Sequence, residues 1–567
     1  MLATEKAFMK ILLTTLLSVA GLACGIRENA DLLLINGKVI TLDDTTPVAE
    51  AIAVRDGRII SVGSSNDLQQ RFIAAHFQDL KGATVVPGLN DAHLHVMGVG
   101  RFLMRLNLVN TDSYAQIVEM VKEKTKSMPS HSWIKGRGWD QNDWADKNFP
   151  LHQALSEISP NHFVVLDRID GHAKLVNKNV LDLAGISRST PDPAGGKIVR
   201  DSNGDPTGVL IDNAELLVTP LIPSSSFEED SLALSLALDA FASAGLTAVQ
   251  DAGADSSDIE LYKRFAEQNL LTARIYVMLD GSIPGLLSDY FHSGPQRNLY
   301  NHFLNISSVK IYADGALGSR GAALLQPYDD APDQMGLLVT DPDTILSITA
   351  RALKAGFQVC THAIGDRGNR IVLDAYEKAM LRTQTYGLDK RLRIEHAQVV
   401  EEKDFKRFAK LGMVASMQPT HCTSDMYWAV ERVGRERILG AYAWQTFLKQ
   451  GTLVAGGSDA PVESYNPLWG IFAAVTRQDQ KGYPDHGWYP DQRMSEIQAL
   501  KAFTQWAAYA AFEESDRGTI KPGQRADLTI LDRPITDTDP LNILEARVLM
   551  TIVDGRLVFK QEAPQNK

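Results

Sequence analysis

Residues 84–96, TVVPGLNDAHLHV, form an apolar, β-branched run that contains a Pro-Gly pair and ends in two histidines. A run of this composition predicts a buried strand. Pro87-Gly88 predicts a break that separates this strand from the segment before it. His93 and His95 are two positions apart, so a strand would direct both side chains to one face. We therefore predict that a domain opens at residue 88 on a strand with two imidazoles at its carboxyl end.

Seven further runs of the same kind follow, with helical patterns between them. Together with the first run, the predicted strands are residues 84–96, 246–252, 273–279, 309–314, 357–363, 393–398, 412–418 and 452–459. Eight consecutive βα units predict an α/β fold, a closed (β/α)8 TIM barrel over residues 88–510, with its active site at the carboxyl ends of the strands.

Two parts of the chain do not follow this alternation of strands and helices. The interval between the first two strands is far longer than one βα unit needs, so residues 101–240 predict a cap-like insertion. Both chain ends carry short alternating runs with Asn36-Gly37 or Asp-Gly turns, which are hairpin signals. Residues 28–87 and 515–562 therefore predict one flanking β-sandwich, the alternative being two unrelated β-appendages.

Composition excludes several classes of protein. The 567 residues contain 57 Lys and Arg against 69 Asp and Glu, a net charge of −12. An acidic chain lacks the basic surface that nucleic acids and anionic membranes require. Three cysteines exclude a disulfide scaffold. A small-molecule substrate is the predicted partner, and a homodimer stays open.

The start of the chain resembles an export signal. Residues 11–23, ILLTTLLSVAGLA, are apolar or small and are followed by Cys24. This stretch is too short to span a membrane but has the length of a signal-peptide core. We expect a signal peptide over residues 1–24 and a periplasmic location in a bacterium. Cys24 also resembles a lipoprotein cleavage site, so a lipid anchor there is the only predicted membrane contact. A buried helix in the mature fold is the alternative.

Metal-binding residue types recur at the carboxyl ends of the predicted strands. These residues are His93 and His95 on the first strand, Lys310 on the fourth, His362 on the fifth, His396 on the sixth and Asp459 on the eighth. Each alone has a structural alternative: a core histidine, an ion-paired lysine or a helix-capping aspartate. As a set they offer nitrogen and oxygen without thiolate, which suits zinc or another borderline divalent ion.

The motifs around these residues resemble the amidohydrolase superfamily, and within it the amidohydrolase-3 group that includes N-substituted formamide deformylases. The resemblance covers nearly the whole mature chain. The motifs that carry it are PGLNDAHLH, VKIYADGALGSRGA, THAIGDR, RIEHAQ, SMQPTHCTSD, GSDAPVE and GTIKPGQRADLTILD. It implies a (β/α)8 barrel, a flanking β-sandwich and a divalent-metal centre.

The resemblance also implies ligand roles. His93, His95 and Asp459 would bind the first, more buried ion, and His362 and His396 the second. Lys310 matches a lysine that some members of the superfamily carry as a carbamate bridging both ions. A carboxylated Lys310 therefore implies two ions, with zinc favoured, and an unmodified one implies a single ion.

The implied reaction is hydrolysis of a carbon–nitrogen bond other than a peptide bond, in an amide or an N-acyl or N-formyl compound. A divalent ion supplies hydroxide from water at neutral pH and polarises the substrate carbonyl. Asp459 would accept a proton from the nucleophile and return it to the leaving nitrogen. The alternatives are an esterase, lactonase or cyclic-imide hydrolase on the same centre, and an inactive ligand-binding protein.

Five further residues are candidates for substrate binding. Asp314 and Arg320 follow the fourth strand, His421 and Asp425 follow the seventh, and His172 lies in the insertion. An arginine can hold a carboxylate or a carbonyl, although a structural salt bridge is the alternative for Arg320. The other four are assigned by their match to the motifs of the group.

Overall fold

The computed structural model describes residues 27–141, 144–168, 173–193, 196–223 and 225–562. The chain divides into two compact units. One comprises the described residues up to Leu94 and those from Phe241 onward, and the other spans His95–Ala240. The predicted signal peptide, including Cys24, lies outside the described residues, as does His172. Within the described ranges no helix is both long and apolar enough to cross a membrane.

Eight parallel strands within the described residues form the barrel of the first unit. They are Leu89–Leu94 (β1), Leu246–Ala254 (β2), Arg274–Asp280 (β3), Leu304–Tyr312 (β4), Gln358–Ala363 (β5), Arg393–His396 (β6), Val414–Met417 (β7) and Leu453–Gly456 (β8). Each strand pairs with the next in chain order. Between β8 and β1 the Asp459 N–H donates to the His93 carbonyl over 2.7 Å. This nearly closed ring confirms the predicted TIM barrel.

Helices connect the strands of the barrel. They are Ser256–Glu267 after β2; Pro284–Ser293 and Leu299–His302 after β3; Pro342–Ala355 after β4; Asp366–Arg382 after β5; Glu402–Lys410 after β6; Pro419–Asp425, Ala429–Arg437 and Trp444–Lys449 after β7; and Pro467–Thr476, Glu496–Ala502 and Gln505–Ala510 after β8. Short 3-10 turns at Ile438–Gly440 and Pro490–Gln492 and a short strand at Gln296–Asn298 complete these connections. The helix after β4 shows why they form. The Asp341 side chain accepts from the Thr344 N–H at its start, and Gly356, with φ +86°, ends it.

The two chain ends build one β-sandwich in the same unit. One sheet contains Glu28–Ile35, Ala51–Arg55, Arg58–Gly63 and Phe72–Asp79; the other contains Lys38–Ile40, Val48–Ala49, Thr84–Pro87, Leu528–Leu531, Val548–Val553 and Arg556–Lys560. Helices Ser65–Arg71 and Leu541–Glu545 accompany them. Ile52 and Val85 share a hydrophobic core with Leu528 and Ile552. Because one core joins both ends, the predicted sandwich is confirmed.

The turns of the sandwich are of two kinds: some join paired strands of one sheet, and one joins the two sheets. Asp56 and Asp554 have φ near +50° and lie between paired antiparallel strands, as hairpin turns require. The hairpin signal at Asn36-Gly37 is wrong. The strands on either side of it, Glu28–Ile35 and Lys38–Ile40, belong to different sheets. This turn therefore passes the chain from one sheet to the other, and the pairing of each strand is decided by non-local contacts.

The second unit is the insertion after β1 and has a sheet of its own. Its strands are Leu106–Asn107, Trp133–Trp139, Phe163–Arg168, Ala173–Val176, Gly196–Arg200 and Pro206–Asp212. Its helices are Val96–Met104, Tyr114–Ser127, His152–Ile158, Lys178–Leu183 and Phe227–Ser243, the last of which continues into the first unit, with 3-10 turns at Asn213–Leu217 and Thr219–Leu221. Trp139 and Trp144 are buried in its core.

Candidate metal centre

Three of the predicted ligands converge at the carboxyl end of the barrel. His93 lies in β1, His396 ends β6 and Asp459 follows β8. One ligand atom from each lies within 4.8 Å of the other two. His93 Nε2 is 3.5 Å from Asp459 Oδ1, and the rings of His93 and His396 are 4.9 Å apart. All three residues are buried. Strands that are distant in sequence thus bring two imidazoles and a carboxylate to one point.

Two of these residues have a left-handed backbone. The φ angles are +71° at His396 and +59° at Asp459, a conformation that costs a non-glycine residue about 1–3 kcal/mol. A regular strand would direct Glu395 and His396 to opposite faces. The turn at His396 instead lets both side chains reach His93. Gln418 holds the new orientation, since its Oε1 lies 2.8 Å from His396 Nδ1.

Lys310 and His362 lie next to this group. Lys310 Nζ is 3.5 Å from His93 Nε2, and the His362 ring centre is 4.5 Å from that of His396. Burial lowers the pKa of the Lys310 amine. Burial, helped by the charge of Lys310, lowers the pKa of His362 to about 3, and burial holds the pKa of His396 well below its usual value. Both imidazoles are therefore neutral at neutral pH, which is the form that binds metal ions.

A charged pair that we did not predict lies behind His93. Glu395 Oε2 is 2.5 Å from His93 Nδ1, and Arg393 Nε is 2.7 Å from Glu395 Oε1. Burial alone would raise the pKa of Glu395, but the charges of Arg393 and His93 lower it to about 2. The signal in the sequence was two opposite charges, two positions apart, inside a strand that had to be buried.

His421 reaches the group from the helix after β7. Its Nε2 is 3.6 Å from Asp459 Oδ2, and its ring stacks on that of His396 with centres 5.8 Å apart. Asp425, on the same helix, accepts a hydrogen bond from the Tyr442 hydroxyl at 2.6 Å. The Gln398 amide also donates to Asp425, at 3.1 Å.

Asp314 and Arg320, both after β4, form hydrogen bonds with other groups of the protein. Asp314 is buried, and its carboxylate accepts from the N–H groups of Ile364, Gly365 and Ala323 at 3.0, 2.8 and 2.8 Å. Burial raises the pKa of Asp314 to about 7, against the effect of these donors. Arg320 Nε and Nη2 donate to the two oxygens of one carboxylate, that of Asp330, at 3.1 and 2.9 Å. The salt-bridge alternative for Arg320 is thus present, and substrate contacts by either residue stay predictions.

His95 lies one residue beyond the end of β1. It immediately precedes the helix Val96–Met104 and is the first residue of the second unit. Its role as a ligand stays a prediction.

The donor set fits a divalent metal ion. Nε2 of His362 and Nε2 of His421 are buried without a hydrogen-bond partner among the described residues, and such atoms are rare in proteins unless something binds them. Two ligands of a tetrahedral zinc ion at about 2.1 Å lie about 3.4 Å apart. The 3.5 Å between His93 Nε2 and Asp459 Oδ1 matches this spacing.

Comparisons with known proteins identify the family of this chain. The model of the Amidohydrolase family matches residues 76–559. The protein LONG AFTER FAR-RED 3 of Arabidopsis thaliana is 36% identical over 545 residues, which cover 94% of this chain and 92% of that protein. The N-substituted formamide deformylase of Arthrobacter pascens is 29% identical over 546 residues, covering 94% and 98%.

Among solved structures, an uncharacterized metal-dependent hydrolase from Pyrococcus horikoshii OT3 superposes with a TM-score of 0.74 at 27% identity, over 90% of this chain and 98% of that one. The family match covers most of the chain, and a relative more than 30% identical matches over nearly its whole length. This chain therefore belongs to the amidohydrolase family of metal-dependent hydrolases, which act on carbon–nitrogen bonds other than peptide bonds.

Proposed function

We propose that this chain hydrolyses a small N-acyl amine, with N-formyl amines as the first class of substrate to test. The observation that carries the proposal is the convergence of His93, His396 and Asp459 at the carboxyl end of the barrel. The similarity to a formamide deformylase supports the formyl class. A neutral imidazole such as that of His396, beside a carboxylate, suits a zinc ion. His95 and His362 complete the proposed ligand set.

A divalent ion, when bound, supplies hydroxide from water and polarises the substrate carbonyl. The proposed role of Asp459 is to accept the proton of the attacking water and to give it to the leaving nitrogen. An amine leaves poorly without that proton, so one carboxylate serves as base and then as acid. Its oxygens lie at the candidate centre, 3.5 and 3.6 Å from the ring nitrogens of His93 and His421.

The number of ions is proposed to depend on Lys310. Its Nζ lies 3.5 Å from His93 Nε2 and the residue is buried in the barrel. A carbamate at this position would offer two further oxygens, enough for a second ion bound by His362 and His396. An unmodified Lys310 would leave a single ion.

Export is the remaining part of the proposal. It rests on residues 11–23 and Cys24 of the sequence. Fractionation of bacterial cells that express the full chain tests it, because export places the protein in the periplasm or, if Cys24 is acylated, in the membrane fraction. Accumulation of uncleaved protein in the cytoplasm would contradict it.

The first experiment is metal content per chain, measured on protein that starts at residue 25 and is purified without chelator. Two ions, falling to one in Lys310→Ala, support the carbamate-bridged centre. One ion in both proteins would contradict the bridging carbamate and would still support a metal-dependent hydrolase. Absence of metal after reconstitution with zinc and bicarbonate would overturn the proposal and favour a binding protein.

The same samples are then tested on matched substrates. N-formyl and N-acetyl amines are compared with esters and lactones of similar size and shape. Turnover of the N-formyl amines supports the proposed class. Turnover of the esters or lactones alone would assign the centre to the alternative activity.

A further inference from the structure

The geometry points to Glu395 and Arg393 as positioning residues that fix His93 as an Nε2 ligand. This inference rests on the proposed metal-dependent function and assigns a task to a charged pair that no step of the reaction uses. Both side chains are fully buried, and the carboxylate lies between the guanidinium and the imidazole.

The guanidinium of Arg393 is held on several sides. Arg393 Nη2 donates to the Ala92 carbonyl at 2.6 Å and to the Ser416 hydroxyl at 3.0 Å, and Nη1 donates to the Gln250 side chain. These partners lie on β1, β7 and β2, so the position of the positive charge is set by three other strands of the barrel. Glu395 is in turn held by that charge, at 2.7 Å.

Glu395 in turn restricts the imidazole of His93. An ionised carboxylate can only accept hydrogen bonds, so Nδ1 of His93 carries the proton that faces Glu395. Metal binding requires His93 to lose its other ring proton. The lone pair is then on Nε2, the atom that lies 3.5 Å from Asp459 Oδ1. A carboxylate that holds a ligating histidine in this way fixes its tautomer and ring orientation and makes the nitrogen more basic.

The pair is charged although it is buried. Removing two charges from water is costly, so a buried ion pair is weak grounds for a role in stability. A neutral amide at position 395 could accept the same hydrogen bond, as Gln418 does from His396, but would not raise the basicity of the ligand nitrogen as a carboxylate does. Strengthening His93 as a ligand is therefore the task that requires the charge.

A second buried pair provides a matched control. Arg274 and Asp527 are also almost fully buried, and Arg274 Nε is 2.7 Å from Asp527 Oδ2. This pair joins β3 to the chain just before the sandwich strand Leu528–Leu531 and contacts none of the candidate ligands in the described hydrogen bonds. Asp527→Asn therefore measures the loss of stability that follows when a buried arginine loses its charged partner, without a change next to His93.

The test measures zinc affinity by competition with a chromogenic chelator, together with the Tm of the metal-free protein. We expect Glu395→Gln to weaken zinc binding about 10–100-fold. Asp527→Asn should lower the Tm and leave zinc affinity unchanged. If Glu395→Gln does not fold, the double variant Arg393→Gln with Glu395→Gln removes both charges and should show the same loss of affinity.

Activity at increasing zinc gives a second readout. Saturating zinc should restore most of the kcat of Glu395→Gln, because the ligand itself is still present. Zinc affinity within twofold of the parent, or an equal loss in Asp527→Asn, would overturn the inference. A parent protein that binds no zinc would instead overturn the proposed function, so the two failures are distinguishable.

Discussion

Two carboxylates after strands of the same barrel, Asp459 beyond β8 and Asp314 beyond β4, differ in how the protein holds them. The oxygens of Asp459 face ring nitrogens of His93 and His421 at 3.5 and 3.6 Å. The oxygens of Asp314 accept from three backbone N–H groups at 2.8 to 3.0 Å. Both residues are buried and both follow a strand. Asp314 also faces one imidazole, since its Oδ1 lies 3.6 Å from His362 Nε2. What differs is that the Asp314 carboxylate also accepts three hydrogen bonds from the backbone of adjacent loops.

Asp459 faces two imidazoles, so its carboxylate lies where it could bind an ion and exchange a proton. A carboxylate that accepts from Ile364, Gly365 and Ala323 ties the loop after β4 to the loop after β5. The comparison therefore predicts that equivalent substitutions at the two positions fail in different ways.

Asp459→Asn should produce the largest effect. An amide cannot take up and return a proton, so kcat should fall by roughly 10²–10⁴-fold. The Tm should change little, because an asparagine has the same shape and Asp459 contributes its own backbone N–H to the bond with His93. Steady-state kinetics and thermal unfolding of the two proteins measure this. Turnover near that of the parent would refute the mechanism.

Asp314→Asn should act on stability first. The amide NH2 group would face backbone N–H donors and leave at least one of them buried and unpaired, at a cost of about 1–3 kcal/mol in the free energy of unfolding. We expect a smaller loss of kcat than in Asp459→Asn, arising from movement of the loops that Asp314 joins. Urea unfolding and kinetics measure both effects.

The control for this prediction is Asp343→Asn, an exposed carboxylate on the helix after β4. It should change the free energy of unfolding by less than about 0.5 kcal/mol. Unchanged stability of Asp314→Asn together with a large loss of activity would place Asp314 in the catalytic group and remove the contrast with Asp459.

Sequence patterns predicted the barrel well because buried parallel strands are continuous apolar runs. For this reason the stretches 246–252 and 273–279 match β2 and β3 to within two residues at either end. The end of β6 shows where such patterns fail. Alternation cannot place Glu395 and His396 on one side, since the left-handed backbone at His396 is set by tertiary contacts. The same holds for Asn36-Gly37, where pairing with distant strands decides what the turn connects.

Residue type alone also cannot separate a substrate contact from a structural ion pair. Arg320 and Asp314 lie in one motif, VKIYADGALGSRGA, and both were predicted to bind substrate. Their partners, Asp330 and the backbone of the neighbouring loops, come from other segments. Only the folded chain brings those partners close enough to compete with a ligand.

Arg320→Ala should have the least effect of these substitutions. It tests whether the loop after β4 has a structural role or binds substrate. The Arg320 side chain is 32% exposed, and an ion pair of this kind contributes about 0–1 kcal/mol. Asp330 keeps a second partner in Arg432, so its charge is not left unpaired. We expect a KM within about twofold of the parent and a nearly unchanged Tm. A KM raised tenfold or more corresponds to about 1.4 kcal/mol of lost binding. It would mean that Arg320 breaks its ion pair with Asp330 and binds the substrate. The loop after β4 would then belong to the active site, and the division between a chemical and an architectural cluster would not hold.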